Sequence, residues 1–120
     1  MTLIPDTTQL WRPVGKAELE LINEHGVFPP RLPGQPIFYP VCNEEYAIQI
    51  ARDWNTKDAA SGYQGHVMTF HVLTSYLDGY ERKVVGGSNH EEYWIPAEDL
   101  EAFNRSIIGP ITVVHSFNVG

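Results

Sequence analysis

The chain has 120 residues, of which 42% are hydrophobic and 19% charged, with a formal net charge of −7. That length buries one core and not two, so a single domain spanning 1–120 is expected. The acidic balance and the scattered cations, with Arg82-Lys83 the only adjacent basic pair, argue against nucleic acid or an anionic membrane surface as partner.

Cys42 is the one cysteine, which leaves no disulfide framework and no thiolate cluster, and it reads as a small buried apolar residue. No apolar run approaches the ~18 residues that span a bilayer. Met1 to Asp6 lacks the basic start and apolar stretch of a signal peptide, so the expected compartment is the cytoplasm.

In chain order, Met1 to Thr8 reads as a loosely held arm and Gln9 to Val14 as a short strand. Pro13 offers no amide hydrogen, so that strand is either an edge strand or broken there. Lys16 to His25 has helix formers, with Gly26 at the C-cap position. Its Leu19 and Ile22 face the core while Glu18, Glu20 and Glu24 stay wet. Four prolines between Val27 and Pro36 make a stiff, irregular connection. Ile37-Phe38-Tyr39 is a brief strand halted by Pro40. Asn43 is an N-cap, and Glu44 and Glu45 follow where a helix dipole favours acids. The helix runs to about Asn55 and puts Ala47, Ile50, Ala51 and Trp54 on its core side.

Thr56 to Gly62 is a small-residue loop. Tyr63 to Leu73 is the longest strand signal, with Met68, Phe70 and Val72 inward and Val67, Thr69 and His71 outward. A turn at Tyr76 to Tyr80, a strand from Glu81 to Val85 and a Gly86-Gly87-Ser88 turn lead to Asn89-His90-Glu91-Glu92-Tyr93-Trp94-Ile95-Pro96. Pro96 opens a short helix through Asn104, and Ile107 to Phe117 is an apolar final strand. Turns separate the later strands, which predicts an α+β domain with a mostly antiparallel sheet.

Chemistry concentrates in the segment from Asn89 to Pro96. Strand alternation places His90, Glu92 and Trp94 on one face, with Glu91, Tyr93 and Ile95 on the other. Tyr93 and Ile95 look core-bound, so Glu92 lies beside indole surface on a partly covered face. Either it solvates the mouth of a strand or it is a working carboxylate. Glycine-rich phosphate loops are absent. None of the five histidines has the His-x-x-x-His spacing of a helical metal site, so no metal is expected.

The order of elements and three local sequences resemble the ADP-ribosyltransferases, and more closely short bacterial proteins of the ADP-ribosylation/crystallin J1 type. The resemblance runs from Leu10 to about Phe117. Leu10-Trp11-Arg12-Pro13 matches a first strand whose Arg or His orients NAD. Phe38-Tyr39 before Asn43-Glu44-Glu45-Tyr46-Ala47 matches a second strand that brings an aromatic or hydroxyl group to nicotinamide. His90-Glu91-Glu92-Tyr93-Trp94-Ile95-Pro96 matches a late strand with a Glu/Gln-x-Glu pattern, which puts the catalytic-type glutamate at Glu92. Pro13 stands where the family often has glycine, His90 replaces the usual Glu or Gln, and the Ser-Thr-Ser signature is absent.

The resemblance implies a split, mostly antiparallel ADP-ribosyltransferase-like core with two or three short helices. It further implies NAD as substrate, Glu92 as catalytic residue and Arg12, Tyr39 and Trp94 as NAD-binding residues. His90 and Glu91 would be accessory or acceptor-facing, and ADP-ribose would pass to an unknown acceptor, for instance a protein. The same site with water as acceptor would make an NAD glycohydrolase. A non-catalytic relative binding a protein or nucleotide is the alternative from another class.

Overall fold

The computed structural model describes residues 6–84 and 90–118. Residues 1–5 of the expected arm, the Gly86-Gly87-Ser88 turn and the flanking Val85 and Asn89 lie outside the described residues. Strand β1 (Thr7–Val14) leads into helix α1 (Lys16–His25), the two-residue strand β2 (Ile37–Phe38), helix α2 (Glu44–Asp53) and strand β3 (Gln64–Leu73). Helix α3 (Thr74–Leu77), strands β4 (Arg82–Val84), β5 (Glu91–Tyr93) and β6 (Ile95–Pro96), helix α4 (Leu100–Arg105) and strand β7 (Ile107–Asn118) complete it. Every strand pairing among the described residues is antiparallel. The architecture is therefore the mixed α+β arrangement that the sequence predicts, with a few short helices.

The largest sheet has the order β1-β3-β7, and two-stranded pairs β2-β6 and β4-β5 flank it. β1 is an edge strand of this sheet and runs unbroken through Pro13. Its outer side still receives one residue, because Trp11 exchanges both backbone hydrogen bonds with Val41 (2.9 and 2.7 Å). Residues of one parity along a strand aim their N–H groups at the same neighbour. Pro13 shares parity with Trp11, so its missing N–H is one that would point away from β3. Val41 also bridges to Glu92, flanked by bonds from the Cys42 amide to the Glu91 carbonyl and from the Tyr93 amide to the Pro40 carbonyl (both 2.9 Å). This single residue fastens β5 to β1.

Helix α1 ends where Gly26 adopts φ +73, a left-handed conformation open to glycine, and its amide caps the Ile22 carbonyl. Helix α2 begins with the Asn43 side chain accepting from the Tyr46 amide, which satisfies a donor that the helix leaves unpaired. Ala47 and Ala51 are fully buried on its inner side. They meet β3 at Gly65, where an added Cβ would fall 2.1 Å from the Ala51 carbonyl oxygen. This close approach fixes α2 against the sheet.

Phe28, Phe38, Phe70 and Phe103 form the centre of the main core, with ring centroids 4.9 to 6.4 Å apart. Phe28 comes from the proline-rich connection. The Asn104 side chain holds it by accepting from its amide and donating to its carbonyl, both at 3.0 Å.

Three local expectations are corrected. Val67 is buried, because α2 covers the second face of β3 and builds a smaller cluster from Val41, Ala47, Ala51 and Val67. Trp54 is no core residue: α2 stops at Asp53, and Trp54, its C-cap, is 69% exposed. The expected turn at Tyr76 to Tyr80 begins as the helical turn α3, closed by the Tyr80 amide on the Leu77 carbonyl.

Candidate functional site

A cleft of about 610 Å³ opens between β1 and α1 on one side and α2 on the other, with the proline-rich connection as its rim. Tyr46, Ile50 and Trp54, spaced one helical turn apart, line the α2 wall. From Tyr46 to Trp54 the wall rises about 12 Å at 1.5 Å per residue. Glu92 and Val41 face the end near Tyr46, while Asn55, Asp58 and Ser61 face the end near Trp54.

Glu92 reaches the cleft because β5 alternates. Tyr93 and Ile95 go into the core, which turns Glu92 and Trp94 the other way. The Glu92 residue is 7% exposed. Its Oε1 accepts from the Tyr46 hydroxyl and its Oε2 from the Trp94 indole N–H, both at 3.1 Å. Among the described residues no cation pairs with it; Lys83 instead sits over the Trp94 ring, 5.3 Å from its centroid. Both oxygens thus have a neutral donor, which orients the carboxylate without neutralising it. Burial pushes the Tyr46 phenol up to about 12, and the charge of Glu92 and its hydrogen bond add to the effect. Tyr46 therefore stays a donor over the ordinary pH range.

Arg12 also faces the cleft and is 8% exposed. Its Nε donates to Glu18 Oε2 at 2.6 Å and its Nη2 to Glu18 Oε1 at 3.0 Å, a bidentate pair. Nη1 makes a longer bond of 3.4 Å to the Tyr39 carbonyl. The guanidinium carbon lies 4.4 Å from the Phe38 ring centroid. Glu18, expected to be wet, is instead the clamp that fixes Arg12. Three of the five N–H groups of the guanidinium are engaged, and two remain for a ligand.

Of the remaining predicted residues, Tyr39 exposes its ring beside the cleft and meets Trp94 edge-on, with centroids 5.9 Å apart. Trp94 itself is half-exposed and acts on the cleft through Glu92. His90 stands behind Tyr46, stacked on it at 4.3 Å and 12°, with Nε2 3.2 Å from Gln49 Oε1. Glu91 points elsewhere, its carboxylate 3.2 Å from Arg82. The structure thus brings Arg12, Tyr39, Glu92 and Trp94 together, adds His90 one layer back, and leaves Glu91 out.

Among the cleft residues that escaped the sequence reading are Glu18, Arg31, Tyr46, Trp54 and Asn55. Tyr46 carried a legible signal, since Tyr46, Ile50 and Trp54 form a second stripe at helical spacing beside Ala47 and Ala51. Arg31 carried none. It projects from an aperiodic loop, 5.9 Å over the Phe38 ring. Burial and the neighbouring Arg12 lower its pKa, against the opposing pull of Glu18 and Tyr39.

Among the described residues, no three His, Cys, Asp or Glu side chains gather where a metal ion would sit. His66 is buried between Ser116 and Gln64. No helix among the described residues is long and apolar enough to cross a membrane. Comparison with protein-family models, with curated proteins and with solved structures returns no match to this chain.

Proposed function

We propose that the cleft binds NAD and that the protein is a mono-ADP-ribosyltransferase, with Glu92 as its catalytic carboxylate. The observation that carries this reading is the carboxylate itself: buried, doubly hydrogen-bonded by Tyr46 and Trp94, and facing a cleft that also holds Arg12. Cleavage of the nicotinamide–ribose bond leaves its electron pair on nicotinamide and positive charge on the anomeric carbon. A fixed anion beside that carbon stabilises the developing oxocarbenium ion, and a carboxylate oxygen can accept from a ribose hydroxyl. The acceptor then forms a bond to the anomeric carbon and gives up its proton.

In this reading Tyr39, which lines the cleft, offers aromatic surface to nicotinamide, and Trp94 backs it edge to face. Arg12 presents its two remaining N–H groups to the diphosphate or an adjacent hydroxyl. The same chemistry with water as acceptor gives a glycohydrolase, which would release nicotinamide with no added acceptor.

NAD titration by calorimetry, with the Arg12→Ala and Glu92→Gln variants alongside, tests the reading. Saturable binding that weakens in Arg12→Ala is expected, together with nicotinamide release that is lost in Glu92→Gln while binding persists. No binding heat at millimolar NAD from a well-folded sample would sink it.

A further inference from the structure

Two buried side-chain polar atoms have no hydrogen-bond partner among the described residues, the ε nitrogen of Arg31 and Oδ1 of Asn55, and both residues line the cleft. Buried polar groups are nearly always paired, so each unpaired one points to what belongs beside it. Arg31 asks for an acceptor. Its neighbour Arg12 already has Glu18, whereas Arg31 has no ion-pair or hydrogen-bond partner among the described residues. Arg31 therefore offers an anion more donors than the two N–H groups left on Arg12.

Asn55 asks for a donor, and its amide orientation is fixed by a chain of bonds. The Ser61 hydroxyl donates to Asp58 Oδ2 at 2.9 Å, and therefore accepts from Asn55 Nδ2 at 2.9 Å. Flipping the amide would set the Asn55 oxygen against a hydroxyl oxygen whose proton is already used. The unpaired atom is thus an acceptor. Next to it in sequence, Trp54 spreads an exposed indole at the same end of the cleft.

We infer that the Trp54–Asn55 end of the cleft is a base subsite: the ligand's adenine stacks on Trp54, gives its exocyclic N–H to Asn55 Oδ1, and leaves its phosphates at Arg31. The inference rests on the NAD reading for the choice of adenine, since nicotinamide riboside would occupy the Glu92 end. The length of the α2 wall separates the two ends. An exposed indole suits a purine face, and its stacking is tolerant of small shifts. Asn55 supplies what stacking lacks, a preference for a base edge that donates.

The test uses ADP, which has the base and the phosphates and lacks nicotinamide. Titration of the intact chain should show saturable ADP binding. Trp54→Leu should weaken it by about 10-fold, and Arg31→Gln by at least about 10-fold. Because a change at Asn55 also disturbs Ser61, the ligand is altered instead. N6,N6-dimethyl-ADP, which has no exocyclic N–H, should bind about 10-fold more weakly than ADP. ADP binding with this pattern, even without any turnover of NAD, supports the subsite and leaves the transferase reading to fall alone. NAD binding with no ADP binding, or ADP binding indifferent to Trp54→Leu and to dimethylation, overturns the subsite and spares the transferase reading. Absence of binding by both ligands overturns both.

Discussion

Glu18→Gln should move stability and anion affinity in opposite directions. The parent pair is bidentate and mostly dry, with side-chain exposures of 9% for Arg12 and 21% for Glu18. Breaking a fully buried pair costs about 3–5 kcal/mol. Here glutamine keeps one acceptor oxygen for the guanidinium, and Glu18 is partly wet, so a loss of about 1–3 kcal/mol is expected. For a domain of this size that is a fall in Tm of about 4–12 °C.

The same substitution removes the negative charge that cancels Arg12. An anion about 6 Å from Glu18, at an effective dielectric constant between about 20 and 80, would be relieved of about 0.7–2.8 kcal/mol of repulsion. ADP or pyrophosphate should then bind about 3- to 100-fold more tightly, with the gain shrinking as salt is added. Paired thermal melts and calorimetric titrations at two ionic strengths read both quantities. Affinity falling in step with stability would show that the pair acts only as a brace, and that no anion sits near it.

Gly65→Ala should unfold the domain or force α2 off β3, because its Cβ would overlap the Ala51 carbonyl; urea titration would show a lost or much lowered midpoint. Asn43→Ala removes the α2 cap and should cost about 1 kcal/mol, with Asn43→Asp restoring most of it. Tyr46 adds an alkaline signature. Its phenol ionises near 10 in the unfolded chain and at about 12 when folded, so its contribution is fully present below pH 10 and is lost as pH rises through about 12. Tyr46→Phe should flatten that part of the stability–pH curve. An unchanged curve would mean that burial and Glu92 do not raise the Tyr46 phenol in the folded chain.

What could be read in advance was local. Period-two alternation placed Tyr93 and Ile95 in the core and turned Glu92 and Trp94 together, and the Asn43 and Gly26 caps follow from one or two side chains each. Pro13 limited its strand to an edge or a break, because a missing donor is visible in the sequence. The Arg12–Glu18 clamp could not be foreseen, since it depends on how sharply the chain turns at Gly15 between strand and helix. That turn is set by distant packing: a Cβ on Gly15 would lie 2.6 Å from the Ser61 Cα. Phe28 and Arg31 come from a loop with no periodicity, so nothing local separates the buried ring from the cleft-facing guanidinium. Trp54 misled for the opposite reason, because it keeps the helical spacing of Ile50 after the helix has ended. Val41 joins two sheets with a single residue, too short a strand for any pattern to announce. In β7 the apolar residues Ile108, Val113 and Val114 remain exposed, since composition marks a strand without saying whether anything covers it.

Phe38 is shared property. Its ring packs against Phe28 and Phe103 at 5.0 and 5.3 Å, and it also lies under Arg12 and within reach of Arg31. A lineage that exchanged this phenylalanine for an aliphatic side chain would lose the π surface beneath both cations and an aromatic partner of the core in one step. A substitution at this point therefore alters the core and the cleft together. Divergence among descendants of this chain should gather on the rim, at positions such as Leu32 and Gln35, where exposed side chains can change without asking the core to repack.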